Sequence, residues 1–348
     1  MTREIDFRYT VIRNGADYWT LQVPAESPPS VRMSDTGEIK SSFSADFLPP
    51  TKDVDWFSDE IRPDVIINGV THHLGVFLPA SVTEQETDTG KILHVEAYDR
   101  SWRIRDNYTE SLLHLDAGLN YVAVVQQLLT ACGVGLISAT PTTATLAEAR
   151  EDWPTGTSYL SIVNQLLAEI NYNELWFDSD GIAVLEPASV PTAANIEHVL
   201  DDTNVDCLML PAVSKQTDIY SAPNVFICIC SNADKSGPMI ATSENTNPQS
   251  PLSINRRGRR IARVIQVNNI ASHDELQAYA DRLRNQSMIT GETISVQTGI
   301  LPGFGLDDVT GIRFGDLFAV CIERSWTMQL QVGGVMSHTL EKVVVNIG

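Results

Sequence analysis

Residues 156–187 read GTSYLSIVNQLLAEINYNELWFDSDGIAVLEP, and within them the hydrophobic period changes from helical to strand-like. Tyr159, Ile162, Val163, Leu166, Leu167 and Ile170 recur at the three- and four-residue spacing of a single helix face. Thr157 or Ser158 stands where a helix start needs a side-chain oxygen for an orphan backbone N–H. Six such side chains, at ~1.5–3 kcal/mol each when buried, supply roughly 10 kcal/mol of gross driving force. The stretch after them predicts a hairpin with Asp180-Gly181 at its bend. It is architecture, with no residue pattern that carries chemistry.

Working back toward the N-terminus, a second helix is expected over 118–133. There Tyr121, Val125, Leu128, Leu129 and Cys132 share a face and Gly133 is a suitable stop. Earlier still the pattern is strands. RYTVIRNGADYWTLQV (8–23) and DVIINGVTHHLGVFLPASV (64–82) each set an Asn-Gly pair between β-forming runs, a strong hairpin signal. In KILHVEAYDRSWRIRDNY (91–108), Leu93, Val95 and Ala97 alternate with Ile92, His94, Glu96 and Tyr98. Many short strands with close turns suggest a barrel or sandwich.

Toward the C-terminus, 196–230 returns to strand character and ends in VFICICS, where alternation puts Cys228 and Cys230 on one face. The stretch 231–253 is dense in Ser, Asn, Thr, Pro and Gly, the composition of an exposed, flexible loop. Ser272 and Glu275 have capping-box spacing ahead of a helix whose inner face is Leu276, Tyr279, Ala280 and Leu283. Strands resume after Glu292. The order is β, α/β, β, loop, helix, β.

The chain has 348 residues, 43% of them hydrophobic and 20% charged, which allows two to three domains with sizeable cores. No window is long and apolar enough to span a bilayer, and the first residues carry no signal-peptide core, so folding in a cytosol is expected. Net charge is −20, from 24 basic and 44 acidic residues, which opposes binding to nucleic acid and to anionic membranes. The five cysteines have no metal-ligand spacing and read as buried thiols.

The search for chemistry returns bland readings. His72 and His73 are adjacent on a strand and so face opposite sides. Asp178-Ser179-Asp180-Gly181 opens like a calcium loop, but the twelfth position holds Ser189 where glutamate is required. DVDWFSDE (53–60) supplies Asp53, Asp55, Asp59 and Glu60, from which a glycosidase-like hydrolase would draw a carboxylate pair. There is no GxSxG, no Walker loop and no cofactor motif. One cluster breaks the acidic background: Arg256, Arg257, Arg259, Arg260 and Arg263 in INRRGRRIAR, a candidate docking patch for a carboxylate-rich partner.

Several stretches, in order, resemble the baseplate hub (tail-hub) proteins of contractile-tailed phages and phage-tail-like particles. GEIKSSFSADFLP (37–49) is similar to that family's early strand, and VEAYDRSWRIRDNY (95–108) to the strand closing its first barrel. WPTGTSYLSIVNQLLAEINYNELWFDSDGIAVLEP (153–187) resembles its helix–hairpin module. SPLSINRRGRRIARVIQVNNIASHDELQAYADRL (250–283) resembles its loop, bend and helix, and RFGDLFAV (313–320) its Gly-Asp barrel strand.

The resemblance implies a mainly β fold with an α+β insert: two barrel-like domains, tail-tube-like ring halves, plus a small α/β module. The expected segments are 1–108 for the first barrel, 109–195 for the module, 196–270 for linking strands with the flexible loop 231–253, and 271–348 for a helix and the second barrel. It implies a homotrimeric ring joining a sixfold tail tube, or its tube-initiator protein, to a threefold central spike, with possible wedge contacts and no catalysis or cofactor. It places the chain in the virion tail, assembled in a bacterial cytoplasm, with no membrane or specific nucleic-acid partner. The alternative from the residues themselves is a host-recognition or carbohydrate-binding module using Trp19, Trp56, Trp102 and Trp326 as exposed platforms. An acid-pair hydrolase is the third.

Overall fold

A computed structural model describes residues 3–87, 90–188, 191–204, 206–217, 222–230, 238–267 and 273–343. In chain order it begins with β1 (Ile5–Arg13), β2 (Ala16–Leu21), β3 (Ser30–Ser34), β4 (Ser41–Phe47), β5 (Glu60–Ile67), β6 (Val70–His73), β7 (Phe77–Thr87) and β8 (Gly90–Asp99). The middle holds α1 (Ser101–Arg105), β9 (Leu113–Leu115), α2 (Tyr121–Ala131), β10 (Ile137–Ala139), β11 (Arg150–Trp153), α3 (Tyr159–Glu169), β12 (Trp176–Phe177) and β13 (Ala183–Leu185). Then come β14 (His198–Asp201), β15 (Met209–Thr217), β16 (Val225–Cys230), β17 (Met239–Glu244), α4 (Ile254–Arg257), β18 (Ala262–Val267) and α5 (His273–Met288). The last strands are β19 (Ile289–Gly299), β20 (Val309–Phe314), β21 (Leu317–Gln329) and β22 (Val335–Val343). The fold is mainly β, as the turn-rich strand pattern predicts.

Two compact units result. One holds Met1–Pro187, Gln297–Leu306 and Arg324–His338; the other holds Ala188–Val296, Asp307–Glu323 and Thr339–Gly348. This division differs from the four consecutive segments expected from the sequence. The reason is strand pairing: Ser325–Gln329 of β21 lies antiparallel to β3, so C-terminal residues complete the first unit.

In the first unit the sheet runs β21-β3-β4-β8-β7-β5-β1-β2, with β6 hairpinned onto β5. Asn14, Gly15, Asn68 and Gly69 all have positive φ, from 50° to 81°, the left-handed pair that a tight two-residue hairpin requires. Alternate residues Phe43, Ala45 and Phe47 of β4 and Leu93, Val95 and Ala97 of β8 are buried. In a flat sheet β1 and β4 would stand four strands, or ~19 Å, apart. Yet the Tyr9 ring lies 6.1 Å from Phe43 and 5.9 Å from Phe47, and Phe43 lies 5.7 Å from Phe77. The sheet therefore curls around one core into a barrel-like form.

The helix–hairpin module has a separate core of α2, α3 and their strands, including Val125, Leu129, Ile162, Val163, Leu166, Leu167, Leu175 and Leu185. Asn120 caps α2, its Oδ1 accepting from Ala123 N at 3.1 Å. Ser158 is the cap position of α3, but its hydroxyl donates instead to Arg105 O at 2.8 Å, and Thr157 Oγ1 donates to Pro154 O. The hairpin bend is an Asp-turn, with Asp178 Oδ1 accepting from Asp180 N and Ile182 N at 2.9 Å each. Gly75 N donates to Ser179 O at 2.9 Å and Trp176 packs on the barrel core, which fixes the module to the barrel.

The second unit carries the sheet path β15-β19-β22-β21-β20-β14 and a separate sheet β17-β16-β18. Cys228 and Cys230 face α5 together with Ala241, Leu276 and Ala280, as the alternation predicts, and all five cysteines are free thiols. Ser272, the expected cap of α5, lies outside the described residues, as do 231–237. Within the rest of the stretch 231–253, residues 239–244 form β17, and Asn245, Ser250, Leu252 and Ser253 are buried. Its polar groups serve one another rather than water, Asn245 Nδ2 donating to Ser250 Oγ at 2.9 Å and Asn224 Nδ2 to Leu252 O at 3.2 Å.

Candidate interaction surfaces

The acidic segment 53–60 is a rigid turn. Arg13 clamps Asp59 with Nε to Oδ1 at 2.8 Å and Nη2 to Oδ2 at 2.6 Å, and also donates to Asp53 O at 3.1 Å. Its guanidinium lies 3.9 Å from the Tyr18 ring centroid. Asp55 N donates to Asp59 Oδ2, while the Asp55 carboxylate accepts from Phe57 N at 3.1 Å and Ser58 Oγ at 2.7 Å. The turn so built holds Phe57 wholly in solvent, at 101% of its reference exposure. Exposed Asp53 and Asp55 stand on its approach.

Two carboxylates of this segment are engaged by arginines. Arg100 grips Glu60 through Nε at 3.0 Å and Nη2 at 2.6 Å and donates through Nη1 to Gly181 O at 2.8 Å, tying barrel to module. The hydrogen bond from Arg13 holds Asp59 below the ordinary carboxylate range, the reverse of what a general acid requires. Asp59 and Glu60, two of the four acids from which a hydrolase would draw its pair, are thus held by separate arginines. Among the described residues, no group of three or more His, Cys, Asp or Glu side chains is placed to hold a metal ion.

The basic bend separates into three roles. Ser253 Oγ accepts from Arg256 N and Gly258, at φ 65°, closes the single turn α4. Arg257 turns inward, Nη1 donating to Ala222 O at 2.6 Å. Arg260 pairs with Glu244 at 2.7 Å, while Arg256 and Arg259 extend into solvent at the same end of the β17-β16-β18 sheet. Arg263 is exposed on β18, in register with Phe226 and therefore on the face that α5 covers further along. The five arginines are not one patch.

The opposite face of that sheet is turned away from α5. It carries Ile227 and Ile229 of β16, Ile240 of β17 paired with Ile229, and Val264 of β18 paired with Ile227. Ile240 and Val264 are 52% and 59% exposed. Of the four tryptophans expected to be exposed, Trp326 is in the core with Nε1 donating to Phe304 O at 3.2 Å, while Trp19 and Trp56 are half-buried against the barrel core and half-buried Trp102 lies edge-on to Tyr98. Sequence reasoning passed over Phe57 because the acids around it drew the attention. The available signal was an aromatic inside a D-x-D-x-x-x-D turn that follows Pro49-Pro50.

A last cluster sits in the second unit. His198 Nε2 lies 2.9 Å from Asp308 Oδ2, Glu323 N donates to Asp308 O at 2.9 Å, and Glu197 stands beside them. Burial, reinforced by Asp308, pushes the Glu323 carboxyl well above its ordinary value and raises Glu197 in the same way.

No protein-family model matches the sequence, and no curated protein sequence does. Solved structures match over nearly the whole chain. The tail protein from Neisseria meningitidis MC58 superposes with a TM-score of 0.68 at 13% identity, covering 97% of this chain and 96% of that one. The 43 kDa tail protein of prophage MuSo2 from Shewanella oneidensis gives 0.66 at 11%, covering 96% and 98%. The Escherichia coli c3393 protein, described as a type VI secretion component structurally similar to the T4 tail proteins gp27 and gp5, gives 0.53 at 9%, covering 98% and 77%. The chain shares the fold of these tail proteins.

Proposed function

We propose that the chain is a structural hub of a phage tail or a related injection machine, forming a homotrimeric ring between a sixfold tail tube and a threefold central spike. The observation that carries this reading is the likeness in fold to tail proteins over nearly the full length of both chains. It is supported by what the charged residues do: Asp59, Glu60, Asp64 and Glu169 are consumed in arginine pairs that brace the scaffold. In this reading the helix–hairpin module is a rigid accessory to the barrel, and it needs no catalytic residue. The partners are other copies of the chain, the tube or its initiator protein, the spike, and wedge proteins at the periphery. The working place is the virion baseplate, reached by assembly in the host cytoplasm, without membrane or specific nucleic-acid binding.

Negative-stain class averages of the purified chain at high concentration test this directly. Threefold rings with a central hole are the expected result. Compact monomers at every concentration, with and without added spike, would overturn the hub reading.

A further inference from the structure

Strand β16, VFICIC, is apolar at every position and pairs parallel to β18 and antiparallel to β17. A continuous apolar run of this kind belongs to a strand covered on both faces. Here α5 covers only the face of Cys228 and Cys230. Half-buried Ile227 and Ile229, with exposed Ile240 and Val264 on either side, form a second apolar face turned away from α5. At its end stand Arg256 and Arg259, exposed cations in a chain of 44 acidic and 24 basic residues.

The first unit carries the complement. Phe57 is a fully exposed aromatic on a turn already locked by Arg13, Asp55 and Asp59, so seating it requires little further ordering. Exposed Asp53 and Asp55 supply the charge opposite to the arginines. We infer that the Phe57 turn of one copy docks on the Ile227–Ile229–Ile240–Val264 face of a second copy, with Asp53 and Asp55 directed to Arg256 and Arg259. Because knob and face are different surfaces, the contact is head-to-tail, the kind that closes into a ring when the rotation permits. The inference rests on the self-assembling hub reading and names the surfaces through which copies meet.

Sedimentation of the full chain over a concentration series, comparing the wild type with Phe57→Ala and Val264→Asp, tests it. Both substitutions are at exposed positions. Each is expected to raise the midpoint of assembly at least about tenfold, the behaviour of a central anchor residue. A complementary capture mixes a Phe57→Cys chain with a Val264→Cys chain under mild oxidation, and a disulfide between positions 57 and 264 of different chains is expected. If the wild type assembles while both variants assemble equally well and no 57–264 disulfide forms, the docking inference falls and the hub reading stands. A wild type that stays monomeric at all concentrations overturns both.

Discussion

In the first unit the buried acids Asp59, Glu60 and Asp64 each meet an arginine, whereas in the second Glu323, Asp308 and Glu197 gather around one histidine. Asp64 takes Arg8 and Arg62 at 3.0 and 3.1 Å, with His73 Nδ1 at 2.6 Å. Where an arginine offsets desolvation, as Arg13 does for Asp59, the carboxyl is held below its ordinary value. Where cations are sparse, burial favours the protonated acid. Asp59 and Glu323 should therefore respond to pH with opposite signs. A lowered acid such as Asp59 contributes stability above its unfolded value that is lost as pH falls through its folded value. A raised acid such as Glu323 contributes below its unfolded value, and that contribution is lost as pH rises through its folded value.

The largest effect expected is at the pair most fully enclosed, where Arg150 donates to Glu169 at 2.7 and 3.0 Å. Arg150→Met leaves that carboxylate without its cation and should cost ~3–5 kcal/mol in urea unfolding of the first unit. A loss under about 1 kcal/mol would break the contrast between the units at its foundation. Glu323→Gln should act in the other direction, stabilising the second unit by ~1–2 kcal/mol at pH 8 and leaving it unchanged at pH 4. Destabilisation at pH 8 would show that the ionised form is the favoured one. Asp59→Asn is expected to cost about 1 kcal/mol at pH 7, with the gap to wild type closing on acidification. The smallest effect belongs to an exposed pair, His114 with Glu151 at 2.9 Å. Glu151→Gln should leave the thermal midpoint unmoved while lowering the His114 titration seen by NMR, since that hydrogen bond raises the imidazole.

How legible each part was follows from how local its signal is. The helix–hairpin module was readable because Tyr159 to Ile170 and Asp180-Gly181 state their structure within 30 residues. The Asn-Gly hairpins were readable for the same reason. Strand β3, five residues between turns, left no pattern, and β17 was hidden because Met239–Glu244 sits inside a polar tract whose Asn and Ser side chains turned out to be buried partners of one another. The pairing of β21 with β3 is invisible to any local reading, which is why the unit boundaries were missed. At the candidate surfaces the arginines were identified, but not that Arg257 faces inward or that Arg263 lies on the far face. Phe57 and the bare face of β16 emerge only when exposure is known.

That same β21–β3 pairing has a consequence for how the protein is made. Strand β3 ends at Ser34 and the part of β21 that pairs with it begins at Ser325, so a ribosome must add everything between them before the two can meet. At ~5–20 residues per second this takes roughly 15–60 s, during which the nascent barrel holds an open edge. Contacts so distant in sequence also slow the final closure. A barrel built this way closes only once Ser325–Gln329 has been made, and truncation before Ser325 would leave the β3 edge unpaired.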